Sequence, residues 1–206
     1  MGVIERKQRE KEYLKKRIID SATKMFIEEG FENTSLRRIA SEIEYSPATI
    51  YLYFKNKDEL FFTIQEKAFE KFYLKLDEFG FIKDPMGRLR SVATSYVEFA
   101  IANPGLYNLM FVMANPLNNL ESKKDWKPGK ECFNLLKTYI TACVEKNLIK
   151  RMNADECTIL FWSFIHGLST LYINQRLSFY GGKEVLVEQI KAVIDKMLET
   201  LKPSYF

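Results

Sequence analysis

The 206 residues carry 31 Lys and Arg against 27 Asp and Glu, a formal charge of +4, and 47% of them are hydrophobic. A chain of that size and apolarity can build its own core without a disulfide framework or a structural metal. Nine glycines and six prolines are too few for a β-sandwich, a collagen-like chain or a low-complexity chain, and they favour long uninterrupted helices. One histidine and three cysteines without paired spacing (Cys132, Cys143, Cys157) argue against a zinc site and imply no metal or cofactor. Cysteines in apolar stretches read as buried thiols in a reducing, cytoplasmic compartment. The charged N-terminus, with no apolar run behind it, does not read as a secretory signal.

Charge is distributed unevenly. Seven of the basic residues but three of the acidic ones fall within residues 1–17, so the whole excess sits at the N-terminus of an otherwise neutral body. Either this basic arm meets a polyanion or it is a solvated, frayed terminus.

In chain order the elements are helical. Ile18, Ala22, Met25 and Phe26 form one apolar helix face. Gly30-Phe31 is a stop, with glycine expected in the left-handed conformation and phenylalanine packing back. Thr34 or Ser35 caps a short helix with Leu36, Ile39, Ala40 and Ile43 inward, and Ser46-Pro47 opens another reaching Phe54. Asn56 to Glu59 reads as a capping box starting a long helix to about Phe79, closed by Gly80. Asp84-Pro85 opens a helix ending near Ala102, and Asn103-Pro104 opens a short one with Tyr107, Met110 and Phe111. Residues 115–127, with Pro116, form the one substantial loop, which holds Trp126. A helix follows from about Gly129 to Asn147. Asn153 caps the next one, and Gly181-Gly182 precedes a last amphipathic helix. From Cys157 to Gln175 no charged residue occurs. That length suits a membrane span, but eight polar or small residues, acids at its start and no second span favour a helix buried inside a globular protein.

The stretch 34–54 carries the functional information. Two short helices flank a tight turn at Ile43–Ser46. The second is too short to stand alone; it points Ile50 and Phe54 inward and leaves Ser46, Pro47, Ala48, Thr49, Tyr51, Leu52 and Tyr53 outward. That pattern fits a recognition helix whose start meets base edges in a major groove and whose tyrosines reach phosphates. A plain helical hairpin with a polar face is the alternative.

The segment from Arg17 to Phe61 resembles the DNA-binding domain of the TetR/AcrR family of bacterial transcriptional regulators. The resemblance rests on Ala22, Phe26, Gly30, Thr34-Ser35, Ile39-Ala40, Ser46, Thr49-Ile50-Tyr51, Tyr53-Phe54, Lys57 and Leu60. One departure is Glu44, where the family usually has glycine, followed by Tyr45 in place of a small aliphatic residue. A non-glycine residue at positive φ costs on the order of 1 kcal/mol. Trp162, His166 and Gly167, with Phe99-Ala100 and Asn103-Pro104 before them, are similar to a subgroup of that family.

The resemblance implies an all-α protein of about nine helices. A basic arm and helix-turn-helix DNA-binding domain would occupy residues 1–56, and an effector-binding and dimerisation domain residues 57–206. The implied partners are double-stranded DNA with a pseudo-palindromic operator, a second copy in a homodimer, and a small hydrophobic effector that releases a repressor; no membrane is among them. The DNA-contacting set is Thr34, Ser35, Arg37, Ser46, Pro47, Ala48, Thr49, Tyr51, Tyr53 and Lys57. Tyr51, Tyr53, Lys57 and the Thr34/Ser35 helix start face phosphates, and Arg37 and residues 47–49 face bases. The effector set is Tyr96, Tyr107, Met110, Phe111, Phe133, Trp162 and His166, though each of these alone is more often a core residue. The dimer set is two helical stripes, Phe164, Leu168, Leu171, Gln175 and Ile190, Val193, Ile194, Met197. No nucleophile–base pairing and no Gly-rich phosphate loop suggest an enzyme. The alternative function is a helical small-molecule carrier or enzyme that does not bind DNA.

Overall fold

The computed structural model describes residues 2–113, 127–150 and 152–203. Among these, nine α-helices and one 3-10 turn occur and no strand. They are α1 (Val3–Glu29), α2 (Leu36–Glu42), α3 (Pro47–Tyr51), α4 (Lys57–Asp77), α5 (Pro85–Ala102), α6 (Pro104–Phe111), α7 (Lys127–Glu145), α8 (Ala154–Ile173) and α9 (Lys183–Leu201), with the 3-10 turn at Ser178–Tyr180. No described helix is long and apolar enough to cross a membrane. Most of the loop expected at 115–127, including Pro116 and Trp126, lies outside the described residues.

Backbone contacts group the chain into two units: Met1–Ala68 with Gly105–Asp125, and Phe69–Pro104 with Trp126–Phe206. The first half of α4 thus belongs with the helix-turn-helix, whereas the sequence division falls at residue 56.

The starts of the helices follow the side-chain chemistry. Ser35, Ser46, Asp84 and Asn153 each accept from backbone N–H groups of the first turn, which satisfies donors that have no partner inside the helix. Asn56 Oδ1 accepts from Glu59 N at 2.8 Å, but the Glu59 carboxylate reaches back to Lys55 N at 2.6 Å, one residue earlier than a capping box requires.

The helix ends follow a different chemistry. Three helices end with a non-glycine residue at positive φ: Glu44 (61°), Asn147 (53°) and Gln175 (56°). In each case the next N–H bonds five residues back (Tyr45 to Ala40 O, Leu148 to Cys143 O, Arg176 to Leu171 O), the Schellman closure that a left-handed residue makes possible. The turn at Glu44 therefore keeps the geometry of a glycine turn without the glycine.

Gly30 differs from expectation. Its φ of 86° is positive, but its ψ of 160° lies outside the left-handed helical region, in a part of conformational space open essentially to glycine alone. The N–H of Gly30 still closes α1 on Phe26 O at 3.1 Å, and Phe31 packs back against Phe26 and Phe61 with ring centroids 5.5 and 4.9 Å away.

The core of the first unit joins Ile18, Ala22 and Phe26 of α1, Leu36, Ile39 and Ala40 of α2, Ile50 of α3, Phe54, and Leu60, Phe61 and Ile64 of α4. Gln65 donates from Nε2 to Leu109 O at 3.0 Å, within the same unit. In the second unit α5 packs on α7, α8 and α9, and its buried face is Leu89, Val92, Ala93, Tyr96, Val97, Phe99 and Ala100. Its three cysteines are free; burial pushes the Cys132 thiol up to about 12 and Cys143 to about 11.

α3 ends at Tyr51, three residues short of the expected Phe54. Leu52 N and Tyr53 N bond only three residues back, at 3.2 and 2.9 Å, so the chain tightens while still delivering Phe54 to the core. α4 ends two residues early, at Asp77, for the same reason: Phe79 N and Gly80 N bond to Leu76 O and Asp77 O.

Gly30→Ala tests the first of these stops. Among the described residues, no atom beyond Gly30's two chain neighbours lies within 4 Å of a methyl group added there, so backbone strain is what the substitution introduces. The expected loss is about 1–3 kcal/mol, read from chemical denaturation, with the secondary structure unchanged.

Candidate nucleic-acid interface and interior cluster

α3 is built as a surface held from behind. Ile50 is fully buried and Phe54 is 2% exposed, whereas Tyr51 is 53% and Leu52 80% exposed. Ser46, Pro47 and Ala48 are exposed, and Thr49 and Tyr53 are half-buried. The Ser46 and Thr49 hydroxyls lie 2.9 Å apart, and Ser46 Oγ accepts from Thr49 N at 3.3 Å. One capping interaction thus fixes the start of the helix and both hydroxyls on its outer side. Ser35 and Arg37 on the start of α2 are exposed.

Two members of the DNA-contacting set have work inside the fold. Thr34 is 2% exposed and its hydroxyl donates to Gly30 O at 2.9 Å, so its side chain closes the α1–α2 turn. Lys57 donates from Nζ to Phe31 O at 2.7 Å and sits 4.0 Å from the centre of the Phe31 ring. This uses one of the three ammonium donors and leaves a half-buried cation at the start of α4.

The sequence reading passed over two arginines. Arg17 donates from Nη2 to Ile43 O at 3.2 Å and stacks over Tyr45 at 5.6 Å, which pins the turn before α3. Arg38 grips the Glu29 carboxylate and donates to Asn33 O at 2.8 Å, which ties α2 to the end of α1. Arg17 stands mid-helix, 26 residues before Ile43, and Arg38 nine residues after Glu29, so no local spacing in the sequence names either partner.

The effector set is divided. Tyr96, Phe133, Trp162 and His166 lie in the second unit, and Tyr107, Met110 and Phe111 lie on α6 in the first. Tyr107 is fully buried and stacks on Phe111 at 4.8 Å. In the second unit, Trp162 Nε1–H donates to the Tyr96 hydroxyl at 3.1 Å. That hydroxyl lies 3.3 Å from His166 Nδ1, and His166 Nε2 lies 3.5 Å from Thr170 Oγ1. Phe133 meets the Trp162 ring edge-on at 6.3 Å. Burial lowers the His166 pKa from its ordinary value of 6.5. Thr170, one turn after His166, was missed; the i, i+4 spacing was the available signal.

Two clefts of the second unit are lined by other residues. One, of about 460 Å³, lies between Lys71, Leu74 and Lys75 of α4 and Ser95, Phe99 and Ala102 of α5. The other, of about 480 Å³, is lined by Ile101, Tyr172, Ile173, Gln175 and Leu186 among others.

The dimer stripes separate by exposure. Leu171 is 43% exposed, Gln175 is exposed, and Phe164 and Leu168 are half-buried. On α9, Val193 is 39% exposed and Met197 half-buried, but Ile190 and Ile194 are 3% and 1% exposed. The structure turns these two isoleucines into the chain's own core, where they share a face with Leu186 and Leu198.

The interior cluster generates a pH prediction. Burial disfavours the imidazolium, so the folded chain holds that proton less tightly than the unfolded chain does. The unfolded ring titrates near 6.5; above that pH the ring is neutral in both states, and stability is expected to fall as the pH drops below it. Melting temperatures between pH 8 and 5 should show a decline in the wild type that His166→Gln lessens. Tyr96→Phe, which removes the hydroxyl's contacts with Trp162 and His166, should cost about 1–3 kcal/mol at pH 8.

Residues 18–64 match the family model of bacterial regulatory proteins of the tetR family, and residues 89–201 match that of the tetracyclin repressor-like C-terminal domain. A helix-turn-helix-type transcriptional regulator of Staphylococcus aureus (SAB2452, strain bovine RF122 / ET3-1) is 32% identical over 112 residues, 52% of this chain and 59% of the relative. A fatty acid metabolism regulator protein of Bacillus subtilis is 31% identical over 72 residues, 35% of this chain and 36% of the relative. The chain thus spans less than two thirds of the length of either curated relative. Among solved structures, the fatty acid degradation regulator FadR of Bacillus halodurans superposes with a TM-score of 0.72 at 19% identity, covering 87% of this chain and 93% of that one. A tetR-family regulatory protein from Rhodococcus RHA1 gives 0.73 at 16% identity, covering 93% and 98%. Two family models that together span both units, over more than half of the residues, decide the assignment: the chain belongs to the TetR family of bacterial regulatory proteins.

Proposed function

We propose that the protein is a sequence-specific DNA-binding transcriptional regulator, a repressor that leaves its operator when a small hydrophobic ligand binds the second unit. The observation that carries the reading is α3 itself: five residues, capped by Ser46, anchored by Ile50 and Phe54, with hydroxyl and aromatic groups outward. In this reading Arg37, Pro47, Ala48 and Thr49 face bases, while Ser35, Tyr51, Tyr53 and the remaining donors of Lys57 hold phosphates. Thr34 serves by positioning Ser35.

The protein acts as a homodimer in this reading. Gly167 costs α8 about 1 kcal/mol relative to alanine, yet among the described residues no atom beyond the helix's own local backbone and the neighbouring residues lies within 4 Å of a methyl group placed there. The exposed residues Leu160 and Leu171 lie on the same side of the helix, at i−7 and i+4. A bare backbone strip flanked by exposed leucines supports close approach by a second copy. The outward part of α9, Val193 and Met197, completes that face.

For the effector, the walls are Trp162, Phe133 and Tyr96, with His166 as a polar group held neutral by burial. Such a lining favours a largely apolar ligand of low charge over a sugar phosphate or nucleotide. The fatty acid regulators among the relatives and structural neighbours make a fatty-acyl compound the first class to test.

The decisive experiment is selection of duplexes from a random library by the full-length protein, followed by anisotropy titrations on the selected site. Tyr51→Phe should weaken all duplexes alike, whereas Thr49→Ala should change which base is preferred. Leu171→Glu with Val193→Glu should give folded monomers in sedimentation that lose the selected site. Salt-independent binding, or no preference among duplexes, would favour an apolar carrier instead.

A further inference from the structure

Helix α1 has 27 residues, but only its second half is buried. Residues 4–13 are all exposed, whereas Ile18, Ala22, Met25 and Phe26 lie in the core. The helix face that holds Met25, Ala22, Ile18 and Leu14 continues toward the N-terminus in steps of three or four through Lys11, Lys7 and Ile4. Lys15 stands one turn after Lys11. None of Glu5, Glu10 and Glu12 falls on that line. Arg6 is paired with Glu10 and Lys16 with Asp20, but Lys7, Lys11 and Lys15 enter no ion pair among the described residues.

The root of this overhang is fixed beside α3. Arg17 holds Ile43 O and Tyr45, just before α3, and Lys15 Nζ lies 5.8 Å from the centre of the Phe54 ring, just after it. At about 1.5 Å per residue, Lys11 and Lys7 stand roughly 6 and 12 Å further out along the helix than Lys15. The face of α1 that meets protein in its second half therefore presents a row of lysines in its first half, past the edge of the recognition surface. A row of cations at core register has no packing use, but it matches a partner with one negative charge per about 1.7 Å of axis.

Building on the assignment of α3 to DNA, we propose that the α1 overhang is a second duplex contact. Lys7, Lys11 and Lys15 bind phosphates flanking the bases read by α3. The overhang lengthens the footprint and adds affinity without sequence information.

The test compares the wild type with a K7A/K11A/K15A variant on the selected site. One duplex carries the site alone, and the other adds one helical turn (about 10 base pairs) on each side. Alanine suits an exposed helix, and circular dichroism checks that α1 persists; K7E/K11E serves as the sign-reversed variant. On the long duplex the triple variant is expected to lower the slope of log affinity against log salt by about 0.9 for each lost lysine contact, and K7E/K11E to weaken binding further. Sequence preference should be unchanged, and the variants should approach the wild type on the short duplex. Equal slopes for wild type and triple variant on the long duplex would overturn the overhang contact while leaving the role of α3 intact. A wild type that binds no duplex would overturn both.

Discussion

A helix of five residues cannot hold its own backbone together, so everything exposed on α3 depends on what is fixed behind it. Ile50 and Phe54 are driven into a core shared with α1, α2 and α4, Ser46 secures the first turn, and Arg17 holds the preceding turn by the Ile43 carbonyl and by Tyr45. The aromatic trio Phe26, Phe31 and Phe61 then locks the end of α1 to the start of α4, between which the two short helices are strung. Remove any of these supports and the outward groups lose their common frame before any of them is itself altered.

The same economy appears at Lys57 and Thr34. Both fall in the segment that resembles a DNA-binding domain, and both bond to the backbone between α1 and α2. A side chain on Phe31 O or Gly30 O holds the loop that sets the angle between those helices. A fixed spacing in a sequence therefore records two demands at once, on the partner and on the scaffold that aims at it.

What could be read in advance follows from where the determining chemistry lies. The caps Ser35, Ser46, Asp84 and Asn153 act within three residues of themselves, so the helix starts were legible. The stop at Asn147 uses a residue that turns left-handed readily and was legible to within two residues of the end at Glu145; the one at Gln175 carries no such mark, and Gly30 adopted a conformation that its identity permits but does not specify. The apolar stripe of α9 was legible as a stripe, but periodicity does not say which neighbour covers it. Ile190 and Ile194 are covered by their own chain, whereas Val193 stays 39% exposed. The pairing of Trp162, Tyr96 and His166 bridges about 70 residues, beyond the reach of any local pattern, although each residue had been singled out by type.

Desolvation of the thiols sets how readily the interior of the second unit reacts. With Cys132 at about 12 and Cys143 at about 11, the thiolate fraction near neutral pH is on the order of one part in ten thousand or less. Cys157 is raised by the same desolvation. Electrophiles and peroxides act on the ionised sulfur, so desolvation slows the reaction of all three thiols with either.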